Sequence, residues 1–352
     1  MLVDRARKLL TVATDGAAPD IVRRAAQDFI DASRKADASE LHTALEILSG
    51  AYSLPPTGHL PMALTTAGAL VERGANPTPL VAPVVEFLKR VTPPAADFHD
   101  ACIAQIPPDA DEEDEDETFR QIAVRLRSEM PEAAAAWAAL ETLYAPVIAV
   151  LAASPTARTQ SRSIAPKMDQ LREHNDGASW MAPMLMVLDR EPILAIEPDT
   201  GLGLVGRMSG ISSSFQLHVL LMDIFPQSDV RSDRRISQKA GDIVRGRVKD
   251  QQDDAPLVGR WNMHAWTALR GAGELPHDHD ESSIRSWIWN EGVPADIPVF
   301  DGYRVVVLGP ASYARSFFAQ REFLGLRADI EVERLLSADE VNAWVKRFSQ
   351  GG

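Results

Sequence analysis

Ile284-Arg285-Ser286-Trp287-Ile288-Trp289-Asn290-Glu291-Gly292-Val293-Pro294-Ala295-Asp296-Ile297-Pro298-Val299-Phe300-Asp301-Gly302-Tyr303-Arg304-Val305-Val306-Val307-Leu308-Gly309-Pro310 carries the strongest β signal in the chain. Asp301-Gly302 stands between two apolar runs. A two-residue hairpin of type I′ needs positive φ at both central positions, and Asp-Gly adopts that at low cost. The run from Tyr303 to Leu308 contains four consecutive aliphatics, which suits a strand covered on both faces. Gly309-Pro310 stops it, because proline has no amide hydrogen for a ladder. Upstream, Trp287 and Trp289 are two apart, so in a strand they share a face and Ile288 takes the other. Between these segments Glu291 and Asp296 sit in a stiff Gly/Pro-rich loop. The stretch therefore predicts a packed sheet with core tryptophans. It also offers a second reading, a groove that binds through Trp287 and Trp289, with Glu291 and Asp296 as candidate catalytic carboxylates at its rim.

Outward from there, the C-terminal half continues in short apolar runs bounded by Asp, Pro and Gly. Met184–Leu188 and Ile193–Ile196 read as strands. Gly201-Leu202-Gly203-Leu204-Val205-Gly206 has the spacing of a dinucleotide-binding loop, but no helix starts inside it to meet a pyrophosphate. A hairpin turning at Pro198-Asp199-Thr200-Gly201 accounts for the glycines better. Ser212-Ser213-Ser214 opens either a short buried helix or a strand. Residues 231–249 read as a solvated helix with a narrow stripe of Ile236, Ala240, Ile243 and Val244. Leu257 to Leu269 reads as one long strand, and with Trp261 and Trp266 it brings four tryptophans into one region, most simply a core cluster. Ser337-x-x-Glu340 is a capping box that starts a C-terminal helix with a stripe of Val341, Trp344, Val345 and Phe348.

His277-Asp278-His279-Asp280-Glu281 is the densest set of potential metal ligands. His277 and His279 are the candidate metal residues, two apart on one side of an extended segment. A hydrolytic metal site needs a third ligand and an open position, which His264, His218, Glu291 or Asp296 supply only if the fold gathers them. No cofactor is expected from the sequence, and a divalent metal stays open.

Residues 1–175 read as helix after helix, a bundle or HEAT-like array. Pro19, Pro61 and Thr78-Pro79 open helices, Gly50 and Gly74 close them, and Pro93-Pro94 ends the segment before it. Leu70-Val71-Glu72-Arg73-Gly74-Ala75-Asn76-Pro77-Thr78-Pro79-Leu80 resembles the junction of two ankyrin repeats, an interaction module. The resemblance spans about one unit with no second copy at the expected period, and helix capping alone produces the same letters. An acidic loop is expected over 107–117. Asp109 and the unbroken run Asp111 to Glu117 hold eight of the acidic charges behind a net charge of −14.

The 352 residues suffice for two domains, expected at 1–175 (helical) and 176–352 (α+β, mostly antiparallel sheet). Net acidity argues against a nucleic-acid or anionic-membrane partner. Ala133–Ala153, interrupted by Glu141 and Pro146, is a poor membrane span. The single cysteine, Cys102, cannot form an internal disulfide, and it sits in an apolar stripe; a reducing cytoplasm is expected. The Arg- and Ala-rich composition points to a bacterial source. Two functions follow. One is a cytoplasmic interaction or regulatory protein with a protein partner and a helical binding surface. The alternative is an enzyme, such as a metal-dependent hydrolase, with its pocket between the halves. Oligomeric state is not specified by these residues.

Overall fold

A computed structural model describes residues 1–55, 58–108, 115–225, 236–271, 273–275, 281–311 and 314–351. The chain divides into two compact units, Met1–Met186 and Val187–Gly352.

The first unit is helical: α1 (Leu2–Thr14), α2 (Pro19–Ser33), α3 (Ala38–Ser49), α4 (Leu60–Glu72), α5 (Thr78–Ile103), α6 (Glu115–Leu126), α7 (Pro131–Ala153), α8 (Pro155–Ser161), α9 (Ala165–Leu171) and α10 (Asp176–Met186). Several ends follow the expected chemistry. Pro19 opens α2 in its first turn, and Gly74, at φ +100°, follows the end of α4. Gly50 is not a left-handed stop; it stays right-handed at φ −57° and starts one 3-10 turn. Pro93-Pro94 does not end a helix either, since α5 runs through both prolines. The bonds they forfeit are those to the carbonyls of Lys89 and Arg90, two exposed residues that water can serve. The opposite face, Leu88, Val91, Ala95 and Phe98, is buried and holds the helix together. Cys102 lies on that face, free and buried, and burial pushes its thiol pKa up. Glu115, Asp116 and Glu117, expected in the acidic loop, instead form the first turn of α6. Carboxylates suit the positive end of a helix. Asp109 to Asp114 lie outside the described residues.

Among the described residues α7 is the helix long and apolar enough to cross a membrane, yet more than half of that stretch is buried within the unit. It packs on α4, α5 and α10. The contact with α10 moves the boundary between units from 175/176 to 186/187. Asn175-Asp176-Gly177 looks like a turn, but Asn175 is a buried helix cap. Its Oδ1 accepts from the Ala178 amide at 2.9 Å while its Nδ2 donates to the Trp137 carbonyl at 3.2 Å. Met184 and Leu185 are thus helical core residues rather than strand.

The second unit is α+β. Its main sheet has the order β4-β6-β1-β2-β8, from β1 (Glu191–Glu197), β2 (Leu202–Ser209), β4 (Trp261–Ala265), β6 (Tyr303–Pro310) and β8 (Asp329–Leu336), with β5 (Val299–Phe300) paired to β6. The two expected hairpins are present. β1 and β2 pair antiparallel from Glu191↔Met208 to Glu197↔Leu202, and β5 meets β6 at Phe300↔Tyr303. At the latter turn Asp301 and Gly302 both have positive φ, 49° and 80°. β1 and β6 are parallel, Ile193 opposite Arg304, so the sheet is mixed. One face, with Ile193, Ala195, Val306 and Leu308, packs on α11 (Ser214–Ile224) and α12 (Gln238–Val244). The other, with Leu194, Ile196, Val305 and Val307, packs on α14 (Ala338–Ser349). That double cover explains the unbroken aliphatic run of β6. The capping box of α14 is formed as expected. Within the solvated helix expected over 231–249, residues 238–244 form the short α12, whose Ala240 and Val244 join the core, and the described residues 245–249 are not helical.

The long strand expected over 257–269 is broken in two. β3 (Gln252–Val258) pairs with β7 (Ser316–Gln320) in a separate ribbon, β4 joins the main sheet, and Trp266–Leu269 form a 3-10 turn. Gly259 marks the break, where a Cβ would come within 3.3 Å of both Phe317 and His218.

Candidate functional site

The four tryptophans do not make one cluster. Trp261 is buried on the α11 face and Trp266 packs on the α14 face. Trp287 and Trp289 follow α13 (Glu281–Ser286) and are not in a strand; their register contact is a single bridge, Trp287 to His264. Ile288, not its neighbours, enters the core, and its amide donates to the Met263 carbonyl at 2.9 Å. The alternation is as expected, but its inward side is the isoleucine. Trp287 is left half-buried and Trp289 is 50% exposed, their rings 5.1 Å apart at 67°.

Beside these rings lies a cavity of about 190 Å³. Its apolar wall is Ala265, Ile288, Val293, Ile297 and Pro298; its polar wall includes Ser214, Thr267, Arg285, Ser286 and Asp296. Of the sequence candidates the fold gathers Trp287, Trp289 and Asp296 here. Glu291 is exposed and does not line the cavity. His277 and His279 lie outside the described residues. Among the described residues no group of three His, Cys, Asp or Glu side chains is placed to hold a metal ion.

Two lining residues carry buried polar atoms without a hydrogen-bond partner: the Ser214 hydroxyl and the Trp287 indole N–H. Ser214 opens α11, but Ser213 is its cap, accepting from the Gln216 amide at 3.3 Å. The amides of Ser214 and Phe215 donate to the carbonyls of Gly292 and Asn290, both at 2.8 Å, tying the cavity-forming loop to α11. Arg315 stacks its guanidinium 4.8 Å from the Trp287 ring centre. Behind the cavity, Nδ1 of buried His264 lies 3.5 Å from the Ser286 hydroxyl. Further along α11, His218 is 1% exposed between Trp261 and Phe317. Burial lowers its pKa from 6.5 to about 4; the Asn290 side chain opposes that shift and the Arg315 charge adds to it. His218 is therefore a neutral ring at physiological pH.

In the sequence Ser214 reads only as part of a helix or strand start, and Arg285 carries no site signal. Three serines in a row announce a cap, and only the fold shows which of them caps and which is left over.

The first unit holds a more polar cleft of about 290 Å³, lined by Asp116, Phe119, Arg120, Glu141, Glu173, His174 and Asp176. His174 stacks on Phe119 at 4.2 Å and lies 3.4 Å from buried His99. Arg120 is paired with Glu117 at 2.8 Å, and the cleft has little apolar wall to hold a ligand.

No protein-family model, no curated protein and no solved structure matches this chain.

Proposed function

We propose that the chain is a cytoplasmic interaction or regulatory protein whose recognition element is the tryptophan-lined cavity of the second unit, engaged by a protein partner. The observation that supports this most is Trp289. A half-exposed indole at the mouth of a cavity, edge-on to a second indole, offers a large rigid surface that solvent does not favour. Large exposed apolar residues of the helical unit, such as Ile21, Val124 and Trp180, stand on three different helices. Single residues of that kind are ordinary on a protein surface. The binding surface is therefore assigned to the second unit rather than to the helices.

Trp289→Ala tests the reading. Its side chain is half in water, so the change leaves the melting temperature close to that of the parent while abolishing co-purification of the partner. A partner retained undiminished by the variant overturns the assignment. Metal content separates this from the hydrolase alternative. Stoichiometric zinc, manganese or iron that is lost in a His277→Ala/His279→Ala variant would favour the enzyme.

A further inference from the structure

We infer that the cavity receives an apolar group bearing a carboxylate, presented as the C-terminal residue of a protein partner. This rests on the recognition reading above and adds the chemistry of what is recognised.

The unpartnered groups set the polarity of the ligand. Ser214 is 0% exposed and its hydroxyl has no partner, nor has the buried indole N–H of Trp287. Leaving such a group unpaired costs roughly 1–3 kcal/mol, so two of them in one lining call for a missing partner. A hydroxyl donates or accepts, but an indole N–H only donates. The ligand that satisfies both is an acceptor.

Charge narrows the acceptor to an anion. Arg285 lines the cavity, and the lining starts at Ser214, the first residue of the 11-residue α11, whose positive end faces an acceptor favourably. The first three amides of α11 are already spent on Gly292, Asn290 and Ser213, so side chains must make the direct bonds. Asp296 in the same lining opposes a second negative charge, which favours a monoanion. The remaining walls, Ile288, Val293, Ile297 and Pro298, demand that the charge be carried on an apolar body. The volume, about 190 Å³, suits one residue rather than a longer segment. Trp289, standing out at the mouth, is placed to meet the residues that precede it.

Full-length protein is titrated with N-acetylphenylalanine, its amide and phenethylamine, and with a hexapeptide ending in phenylalanine, free or amidated at its C-terminus. The free acids are expected to bind about tenfold tighter than the amides, the value of one charge-assisted hydrogen bond, and the amine least. Arg285→Gln should shrink the acid-to-amide ratio, and Ser214→Ala should weaken acid and amide alike. The hexapeptide acid should outbind N-acetylphenylalanine, and Trp289→Ala should remove that advantage. Equal binding of acid and amide, or preference for the amine, overturns the ligand class while leaving a recognition cavity in place. N-acetylphenylalanine binding as tightly as the hexapeptide overturns the C-terminal assignment in favour of small carboxylates. No binding by any probe, with partner capture still lost in Trp289→Ala, overturns the ligand class alone; no binding with capture retained overturns both.

Discussion

His218 makes the protonation state of one ring matter to the whole second unit. The ring is 1% exposed, and desolvation is the leading cause that holds its pKa near 4, against the opposing hydrogen bond of the Asn290 side chain. The unfolded chain binds that proton below about 6.5, and the folded chain only below about 4. Across that window the unfolded state holds more protons, so stability falls as pH falls. The contribution is complete above pH 6.5 and spent by about pH 4, a loss of roughly 3 kcal/mol. Urea unfolding measured between these limits should show it, and His218→Phe should flatten the slope. An unchanged acid limb in the variant would place the titrating group elsewhere. Part of the candidate site was readable at this scale. Trp287 and Trp289 stand out as paired indoles, though on an expected strand that is not formed, and of the two loop carboxylates Asp296 lines the cavity while Glu291 does not. Ser214 and Arg285 do not stand out, because an uncapped serine and a surface arginine look like any other until a cavity is closed around them.

At the level of elements, local chemistry sets some ends on its own, although Gly50 shows that a glycine alone does not. The Asp301-Gly302 hairpin and the Ser337/Glu340 capping box are set by their own residues. Ser337→Ala should cost about 1 kcal/mol, read as a lower melting temperature, with Glu340 losing one of the bonds that lower its pKa. An unshifted melting temperature would show that the box is formed but idle. Ends governed by packing were misread. Pro93-Pro94 lies inside α5 because a buried face outweighs two missing bonds, and Asn175 caps α10 against α7. Gly177 is needed at that contact, since a Cβ there would sit 2.1 Å from the Leu140 carbonyl oxygen. Gly177→Ala should therefore destabilise the helical unit by roughly 1–3 kcal/mol, despite the better helix propensity of alanine. A neutral or stabilising effect would mean that α10 and α7 separate at no cost.

For the molecule as a whole, the order of helices first and sheet second is legible from periodicity, because 3.6- and 2-residue patterns do not mix. The parallel pairing of β1 with β6 is not, since more than a hundred residues separate Ile193 from its partner Arg304 and no local signal spans them. Nor is the split of 252–265 between two sheets, which depends on the close approach of Gly259 to Phe317 and His218. The compact division at Met186/Val187 predicts that residues 1–186 and 187–352, expressed separately, each unfold cooperatively with the secondary structure described here. A fragment 1–175, lacking α10, should be markedly less stable than 1–186. Equal stability of the two would return the boundary to 175.

The central claim is that the tryptophan-lined cavity is where this protein meets its ligand. Its most direct test is an NMR titration of the intact chain with the Phe-terminated hexapeptide, following the seven indole N–H signals. The prediction is that the Trp287 signal, assigned by its loss in Trp287→Phe, moves downfield as its unpaired N–H gains an acceptor, with Trp289 shifting alongside it. Shifts confined to Trp137 or Trp180 in the helical unit, with Trp287 and Trp289 unmoved at saturation, would contradict it.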